Sequence, residues 1–261
     1  MNAEIGIIGG TGVYDPELLD NVEKIKIDTP YGNPSDTIVV GTLGKRKIAF
    51  LNRHGPGHKI PPHLINYRAN IHALKELGVT RILSATAVGS LLEEYKPGDL
   101  VVLDQFIDRT HGRSSTFYEK DRVCHISVAD PFCEELRNTI IKEAKKLNYS
   151  IHEKGTQVCV NGPRFSTRAE SLMFRRWGAH TINMTVVPEC VLAREKEICY
   201  ASIAMVTDYD CWKEHNVSIE EIINTMKQNE NKVKNLLIKT IESIPLVREY
   251  GCKDALSSAL I

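Results

Sequence analysis

Residues 4–12, Glu-Ile-Gly-Ile-Ile-Gly-Gly-Thr-Gly, decide the fold, because they form an apolar run that ends in glycines. Such a run is typical of a buried parallel strand that enters a tight loop. Further strand candidates lie at residues 37–40, 47–51, 81–84, 100–103, 156–160 and 200–206. Helical patterns separate them, and strands that alternate with helices predict an α/β fold whose sheet carries helices on both faces.

Apolar residues at helical spacing predict helices over residues 66–77, 131–147 and 218–244. The first stops at Gly78, a residue that readily adopts the left-handed conformation of a helix C-cap. Ser218 and Glu221 have the three-residue spacing of a capping box, and so do Thr167 and Glu170. We therefore expect one helix to begin at Ser218 and another at Thr167.

Composition excludes several classes of protein. The 261 residues include 33 basic and 33 acidic side chains, so the net charge is zero and a nucleic-acid-binding surface is not expected. Residues 1–4 are too short and polar for a signal peptide, and no apolar run reaches the ~20 residues of a membrane span. The seven cysteines form no Cys-x-x-Cys pair, which favours reduced thiols but leaves a disulfide open. We expect one cytoplasmic domain over residues 1–261, without membrane or nucleic-acid partners.

Ligands of open α/β sheets bind at the carboxyl ends of the strands. The glycine-rich residues 9–12 follow the first strand and are therefore a candidate binding loop. Their backbone N–H groups and the Thr11 hydroxyl suit an anion. The segment is neither a dinucleotide fingerprint, since the third glycine would fall on Asp15, nor a phosphate-binding P-loop. A plain turn at the end of a strand remains the alternative.

Two more segments favour an anion site. Arg53-His54-Gly55 follows a strand. The planar guanidinium group of Arg53 can bind two phosphate oxygens, and His54 can add a further hydrogen-bond donor. The same three residues occur in histidine phosphatases. Residues 86–90 are small or hydroxylated and are interpreted as a loop behind the strand at 81–84. Three histidines share residues 54–63, but they lack the spacing of zinc motifs, so histidines of a polar loop are preferred to a metal site.

The later segments carry aromatic and acidic side chains. A Gly-Pro turn at residues 162–163 precedes Phe165 and Ser166, and Phe165 is either a core residue or a stacking surface for a purine. Asp208 and Asp210 follow an apolar strand. They are either solvated turn residues or desolvated acids with raised pKa values.

Taken together, residues 9–12, 53–55, 162–166, 183–185 and 207–210 resemble the trimeric purine nucleoside phosphorylase family. The similarity extends over about residues 5–244 and includes the stretches 104–110 and 199–204. It implies a mixed sheet flanked by helices, assembled as a homotrimer or as a hexamer of two trimers. Within the family, the branch that acts on S-methyl-5′-thioadenosine is the most similar.

The resemblance implies phosphate-dependent cleavage of the N-glycosidic bond, a step of purine and methionine salvage. The products would be adenine and 5-methylthioribose 1-phosphate, with phosphate as co-substrate and no cofactor or metal. The phosphate contacts would fall on Thr11, Arg53, His54, Thr86, Ala87 and Thr185. The substrate contacts would fall on Phe165, Ser166, Met184, Asp208, Tyr209, Asp210, Ile219 and Ile222, with His125 lent to a neighbouring subunit.

Donor and acceptor patterns connect Asp208 to the base. A protonated carboxyl group can donate to purine N7 and accept from the N6 amino group, which suits adenine, whereas an asparagine amide would suit a 6-oxopurine. The 6-oxopurine branch of the family also typically has glutamate where this chain has Ser166. Ile219 and Ile222 align with the apolar pocket for the 5′ substituent, and plain core packing is their alternative.

Three other functions remain open at this point. A 6-oxopurine or methylthioinosine phosphorylase would differ in base preference alone. A histidine phosphatase would use His54 as its nucleophile. A non-catalytic nucleoside-binding protein would bind the ligand and release no base.

Overall fold

The computed structural model describes residues 2–10, 18–120, 122–213 and 217–261. The strands of these ranges are β1 (Ile5–Gly9), β2 (Asp20–Ile25), β3 (Ile38–Leu43), β4 (Arg46–Asn52), β5 (Arg81–Ser90), β6 (Leu100–Val102), β7 (Gln105–Arg109), β8 (Ile151–His152), β9 (Thr156–Val160), β10 (Thr181–Asn183) and β11 (Cys199–Asp208). The α-helices are α1 (Tyr67–Glu76), α2 (Glu134–Lys146), α3 (Arg168–Arg176), α4 (Val186–Glu195) and α5 (Ile219–Ser243). None of these helices combines the length and the apolar character that a membrane crossing requires.

The described strands form one mixed sheet that branches at β5. One path runs β2-β3-β4-β1-β5-β10-β9-β7, and β11 pairs with the other edge of β5 and continues to β6 and β8. The pairs of β1 with β4 and β5, and of β5 with β11, are parallel, whereas β10 joins β5 antiparallel. The α/β fold with a central mixed sheet is therefore confirmed.

Alternating side chains divide the core into two layers. In β11, Tyr200 and Ala204 pack into the layer that includes residues of α1 and α4. Ala201 and Ile203 pack into the opposite layer, with residues of α2 and α5. This period of two, on a strand buried on both faces, explains the continuous apolar run in the sequence, and each fully buried aliphatic side chain stabilises the fold by roughly 1.5–3 kcal/mol.

Local sequence signals gave most helix boundaries correctly. The Asn66 side chain caps α1, and Gly78 follows that helix with φ +85°. The capping box of Thr167 and Glu170 is present at α3. The one predicted at Ser218 is wrong, because the Ser218 side chain makes no capping hydrogen bond at α5.

Strand β5 corrects one prediction and positions the site. Residues 86–90 are not a loop: the strand continues through Ser90, because its far half pairs with β11 on one edge and with β10 on the other. A register irregularity in β11 between Val206 and Asp208 brings Asp208 opposite Gly89. A Cβ at Gly89 would lie 3.1 Å from Asp208 Oδ1, so the glycine leaves room for the carboxyl group.

Candidate active site

A cleft of about 1120 Å³ opens where β4, β5, β10 and β11 end, and the start of α5 forms one wall. It brings together most of the residues that the sequence singled out. These are Arg53, His54, Thr86, Ala87, Phe165, Ser166, Met184, Thr185, Asp208, Asp210, Ile219 and Ile222. Segments more than 150 residues apart thus meet at the carboxyl edge of the sheet.

Two predicted residues of the described ranges, Tyr209 and His125, do not line the cleft. Thr11 lies outside the described residues. The Tyr209 hydroxyl donates to the Glu93 carbonyl oxygen at 3.3 Å, and its ring meets Trp212 edge-on, so its side chain packs elsewhere. His125 is exposed, and its backbone N–H donates to the Ala259 carbonyl oxygen at 2.7 Å. A role of His125 in a neighbouring subunit stays a prediction.

Arg53 is anchored by an ion pair in the floor of the cleft. Its Nε and Nη2 donate to the two carboxylate oxygens of Glu189 at 2.7 and 2.8 Å, and both side chains are almost fully buried. Nη2 also donates to Ser84 Oγ at 2.7 Å. Burial by itself would lower the pKa of Arg53, but the Glu189 carboxylate raises it above its usual value, so the guanidinium stays charged. The Nε–Nη2 edge of the guanidinium therefore binds Glu189. Nη1 donates to the Ala85 carbonyl oxygen at 3.2 Å, so only its second N–H is left for a phosphate oxygen.

His54 is a neutral imidazole. Its Nδ1 lies 2.9 Å from the Ile60 carbonyl oxygen, which can only accept, so the proton is on Nδ1. Burial, together with the charge of Arg53, lowers the pKa of His54 to about 4. Nε2 therefore presents a lone pair, and His54 can accept a hydrogen bond from a protonated phosphate oxygen rather than supply a positive charge.

Hydroxyl groups surround the middle of the cleft. Thr86 Oγ1 accepts from Asn183 Nδ2 at 3.4 Å and donates to the Ala87 carbonyl oxygen at 3.2 Å. Thr185, only 5% exposed, occupies the N-cap position of α4. A helix N-terminus next to hydroxyl groups suits an anion.

Asp208 is a desolvated acid, which decides between the two interpretations of its sequence position. Its Oδ2 accepts from Thr207 Oγ1 and its Oδ1 from the Asp210 backbone N–H, both at 2.8 Å. Burial outweighs these hydrogen bonds and raises the pKa of Asp208 to about 6. Asp210 is 6% exposed, and burial raises its pKa as well. Asp208 can therefore take and give a proton near neutral pH.

Ser166 and Phe165 also line the cleft. The Ser166 hydroxyl is buried without a hydrogen-bond partner among the described residues, which leaves it available to a ligand. Phe165 is 39% exposed, so it is not a core residue, and its ring can pack against a bound molecule.

The far end of the cleft is apolar. Ile219, Ile222, Ile223 and Met226 of α5 line it, followed by Lys227 and Glu230. Ile219 is 65% exposed, so core packing does not account for it. This surface can cover an apolar substituent.

Sequence reasoning missed two residues that position the site. Glu189 holds Arg53 and also accepts from the Tyr200 hydroxyl at 2.7 Å. Arg113 donates through Nη2 to the carbonyl oxygens of Asn161 and Met184, each at 2.8 Å, and so joins two cleft segments. Arg113 lies 71 positions from Met184, and Glu189 lies 136 positions from Arg53, so no local pattern could have found these contacts.

The histidines of residues 54–63 do not gather around a common point that could hold a metal ion. The rings of His54 and His58 stack with their centroids 4.0 Å apart. Among the described residues, the side chains placed close enough to share a metal are three cysteines elsewhere in the fold.

Comparison with known proteins agrees with this geometry. The model of the phosphorylase superfamily matches residues 4–242. An S-methyl-5′-thioadenosine phosphorylase from Thermofilum pendens is 57% identical over 258 residues, 99% of this chain and 98% of its own length. The enzyme of the same name from Nitrosopumilus maritimus is 55% identical over 258 residues, again 99% and 98% of the two chains.

Solved structures show the same fold. An adenosine/methylthioadenosine phosphorylase variant from Schistosoma mansoni in complex with methylthioadenosine superposes with a TM-score of 0.93 and 41% identity, over 98% of this chain and 96% of its own. A methylthioadenosine phosphorylase from an antarctic soil metagenomic library superposes with a TM-score of 0.93 and 43% identity, over 100% and 93% of the two chains. The family match and the identities over nearly the whole length show that this chain belongs to the phosphorylase superfamily.

Proposed function

We propose that the protein is a pentosyltransferase that uses phosphate to cleave S-methyl-5′-thioadenosine into adenine and 5-methylthioribose 1-phosphate. The observation that carries this proposal is Asp208, a carboxylic acid with a raised pKa at the end of β11, in the cleft that also holds Arg53 and the hydroxyl groups of β5. The relatives' names and the methylthioadenosine bound in the Schistosoma mansoni structure support the substrate.

Phosphate would lie between the middle of β5, at Thr86 and Ala87, and the N-terminus of α4. The Thr185 hydroxyl can donate a hydrogen bond, and the Thr86 hydroxyl can do so when it turns away from the Ala87 carbonyl oxygen. Arg53 can donate through Nη1, although Glu189 balances its charge. As the glycosidic bond lengthens, the sugar gains oxocarbenium character, so a phosphate oxygen held beneath the anomeric carbon is both nucleophile and electrostatic partner. The ion pair with Glu189 prevents the guanidinium from rotating, so its position is set before phosphate arrives.

The purine would bind between Phe165, Ser166 and Asp208. Negative charge develops on the leaving base, and a protonated Asp208 can neutralise it by donating to N7 while its other oxygen accepts from the N6 amino group. With a pKa of about 6, roughly a tenth of the Asp208 side chains carry the proton at neutral pH before substrate binds. A purine whose edge contacts the acid excludes water and raises that fraction.

The 5′ group would contact the apolar end of the cleft. Ile219 and Ile222 can cover a methylthio group, whereas a 5′ hydroxyl would lose its hydrogen bonds to water there. A contact of this kind discriminates only ~10–200-fold, so adenosine is expected to be a slower substrate rather than an excluded one.

The proposal extends to assembly and cofactors. His125 is exposed and thus accessible to a neighbouring subunit, and a second depression of about 430 Å³, which shares Ser166 with the cleft, offers a place for a neighbouring chain. We propose a cytoplasmic homotrimer, or two trimers, that needs no cofactor and takes phosphate as co-substrate. Light scattering after size exclusion would give the subunit number, and activity after dialysis against a chelator would test the metal independence of the reaction.

The test is base release from methylthioadenosine, methylthioinosine, adenosine and inosine, each with and without phosphate. We expect rapid adenine release from methylthioadenosine only when phosphate is present. Faster release from the two 6-oxopurine substrates would contradict the role of Asp208 and favour a 6-oxopurine phosphorylase. Phosphate-independent release, or none, would contradict the phosphorylase mechanism. Membership of the phosphorylase superfamily already removes the reason for the histidine phosphatase hypothesis, which rested on residues 53–55 alone.

A further inference from the structure

Three cysteines from distant parts of the chain meet in the core, far from the cleft. Cys133 precedes α2, Cys199 begins β11, and Cys252 lies in a short 3₁₀ turn near the C-terminus. Their sulfur atoms all lie within 4.8 Å of one another, and the residues are 1%, 0% and 3% exposed. All three are free thiols. Since Cys199 and Asp208 are at opposite ends of β11, the cluster is roughly 30 Å from the acid of the cleft.

The spacing suits a shared cation better than a bond between two of the sulfurs. A metal bound by three thiolates at ~2.3 Å in one plane places the sulfur atoms ~4.0 Å apart, only slightly closer than the limit observed here. A disulfide needs ~2.05 Å and always leaves the third sulfur unused. Thiolate sulfur prefers soft cations such as Cu⁺ and Zn²⁺.

The number of ligands decides between these two cations. No histidine, aspartate or glutamate in the described ranges joins the cluster, and its burial leaves little access for water. Structural Zn²⁺ sites are almost always four-coordinate, which three cysteines alone do not satisfy. A set of three sulfur ligands is therefore better matched to monovalent copper.

The surroundings can balance the charge. Three thiolates around Cu⁺ carry two excess negative charges. The positive charges of the Arg194 and Arg248 guanidinium groups attract negative charge at Cys252. Arg248 donates to the backbone carbonyl oxygens of Thr80 and Glu197, which leave its positive charge in place. Arg194 Nε is buried without a hydrogen-bond partner among the described residues. The N-terminus of α2, which directly follows Cys133, adds a favourable dipole.

We propose that Cys133, Cys199 and Cys252 form a buried trigonal site for one Cu⁺ ion. The ion would join the C-terminal segment to the start of β11 and to the segment before α2. The site is separate from the reaction at Asp208, so its occupancy is independent of whether the proposed substrate is correct.

The test uses the full chain, purified and reduced under anaerobic conditions. Cu⁺ is added in competition with a chromogenic copper chelator, the protein is desalted, and copper per chain is measured. We expect one retained ion per chain, and Cys252→Ser to weaken binding by more than ~100-fold, beyond the 10–100-fold typical of lost second-shell contacts. Cys190→Ser is the matched control, because Cys190 is equally buried but lies outside the cluster, and it should retain the ion.

X-ray absorption of the wild-type complex tests the same proposal without a variant. Three sulfur neighbours near ~2.3 Å are expected. The proposal is overturned if the wild type yields copper to the chelator, if Cys252→Ser binds as tightly as the wild type, or if the spectrum shows nitrogen or oxygen neighbours. It is also overturned if Zn²⁺ is retained in preference to Cu⁺, or if two thiols are already lost to a disulfide in the anaerobic protein.

Discussion

Replacing Asp208 by asparagine should make the protein more stable near neutral pH and much less active. The wild-type carboxyl group has its pKa raised by burial from 3.8 to about 6. An acid whose pKa is raised on folding stabilises the folded state fully below the unfolded pKa, and this contribution is lost as the pH rises through the folded value. Asparagine has nearly the same shape and no such dependence.

The magnitude follows from these two pKa values. Compared with low pH, where Asp208 is protonated in both states, the raised pKa lowers the free energy of unfolding by roughly 1.6 kcal/mol at about pH 5 and roughly 3 kcal/mol at about pH 7.5. Relative to the asparagine variant, the wild type should therefore lose about 1.4 kcal/mol of unfolding free energy between these two pH values. Loss of the acid should also lower kcat/KM for methylthioadenosine by ~10²–10⁴-fold, with a smaller loss for methylthioinosine, whose O6 the amide can meet as a donor.

The assay is urea unfolding of both proteins at the two pH values, combined with base-release kinetics. Asp28→Asn is the matched control, because Asp28 is exposed and lies outside the cleft, and its pH dependence of stability should follow the wild type. Parallel pH dependence of the wild type and Asp208→Asn would refute desolvation as the cause of the raised pKa. Full activity of Asp208→Asn would refute its role as the acid.

The other predictions concern the floor, the far end and the edge of the cleft. Glu189→Gln leaves the Arg53 charge buried without its partner, so the free energy of unfolding should fall by ~3–5 kcal/mol. The KM for phosphate should also rise. An unchanged thermal midpoint would show that the ion pair does not stabilise the protein. Ile222→Asn should reduce the preference for methylthioadenosine over adenosine by up to ~10–200-fold in a comparison of kcat/KM, and an unchanged ratio would place the 5′ group elsewhere. Thr167→Ala removes the observed cap of α3 and should lower the unfolding free energy by ~1 kcal/mol in urea, whereas Ser218→Ala, at an uncapped helix start, should change it little.

The parts of the fold that the sequence predicted are those governed by local physics. The apolar run before Gly9 is β1, the run before Arg53 is β4, and the Thr167 capping box is present. In each case the signal lies within a few residues of its effect, through alternation of buried side chains or one side-chain hydrogen bond.

The errors arise where distant pairing overrides local composition. Residues 86–90 look like a loop because they are small, but two neighbouring strands extend β5 through them. Strands β2, β7, β8 and β10 were missed altogether; β2 is mostly exposed, and β8 has two residues. In the site, residue types indicated Asp208, whereas the clamp on Arg53 depended on a glutamate 136 positions away.

The charges in the cleft connect the two halves of the proposed reaction. Glu189 already balances Arg53 and His54 is neutral, so a bound phosphate brings negative charge that the floor does not cancel. Asp208 pairs with Gly89, which lies three residues beyond Thr86 in β5. The distance between Asp208 and a phosphate bound at Thr86 is therefore ~10 Å. At that distance a charge acts with an energy on the order of 1 kcal/mol, and a like charge favours the protonated carboxyl group. Phosphate at β5 therefore supplies the nucleophile and also promotes the proton on Asp208 that the departing purine requires, so its absence should slow cleavage through both effects.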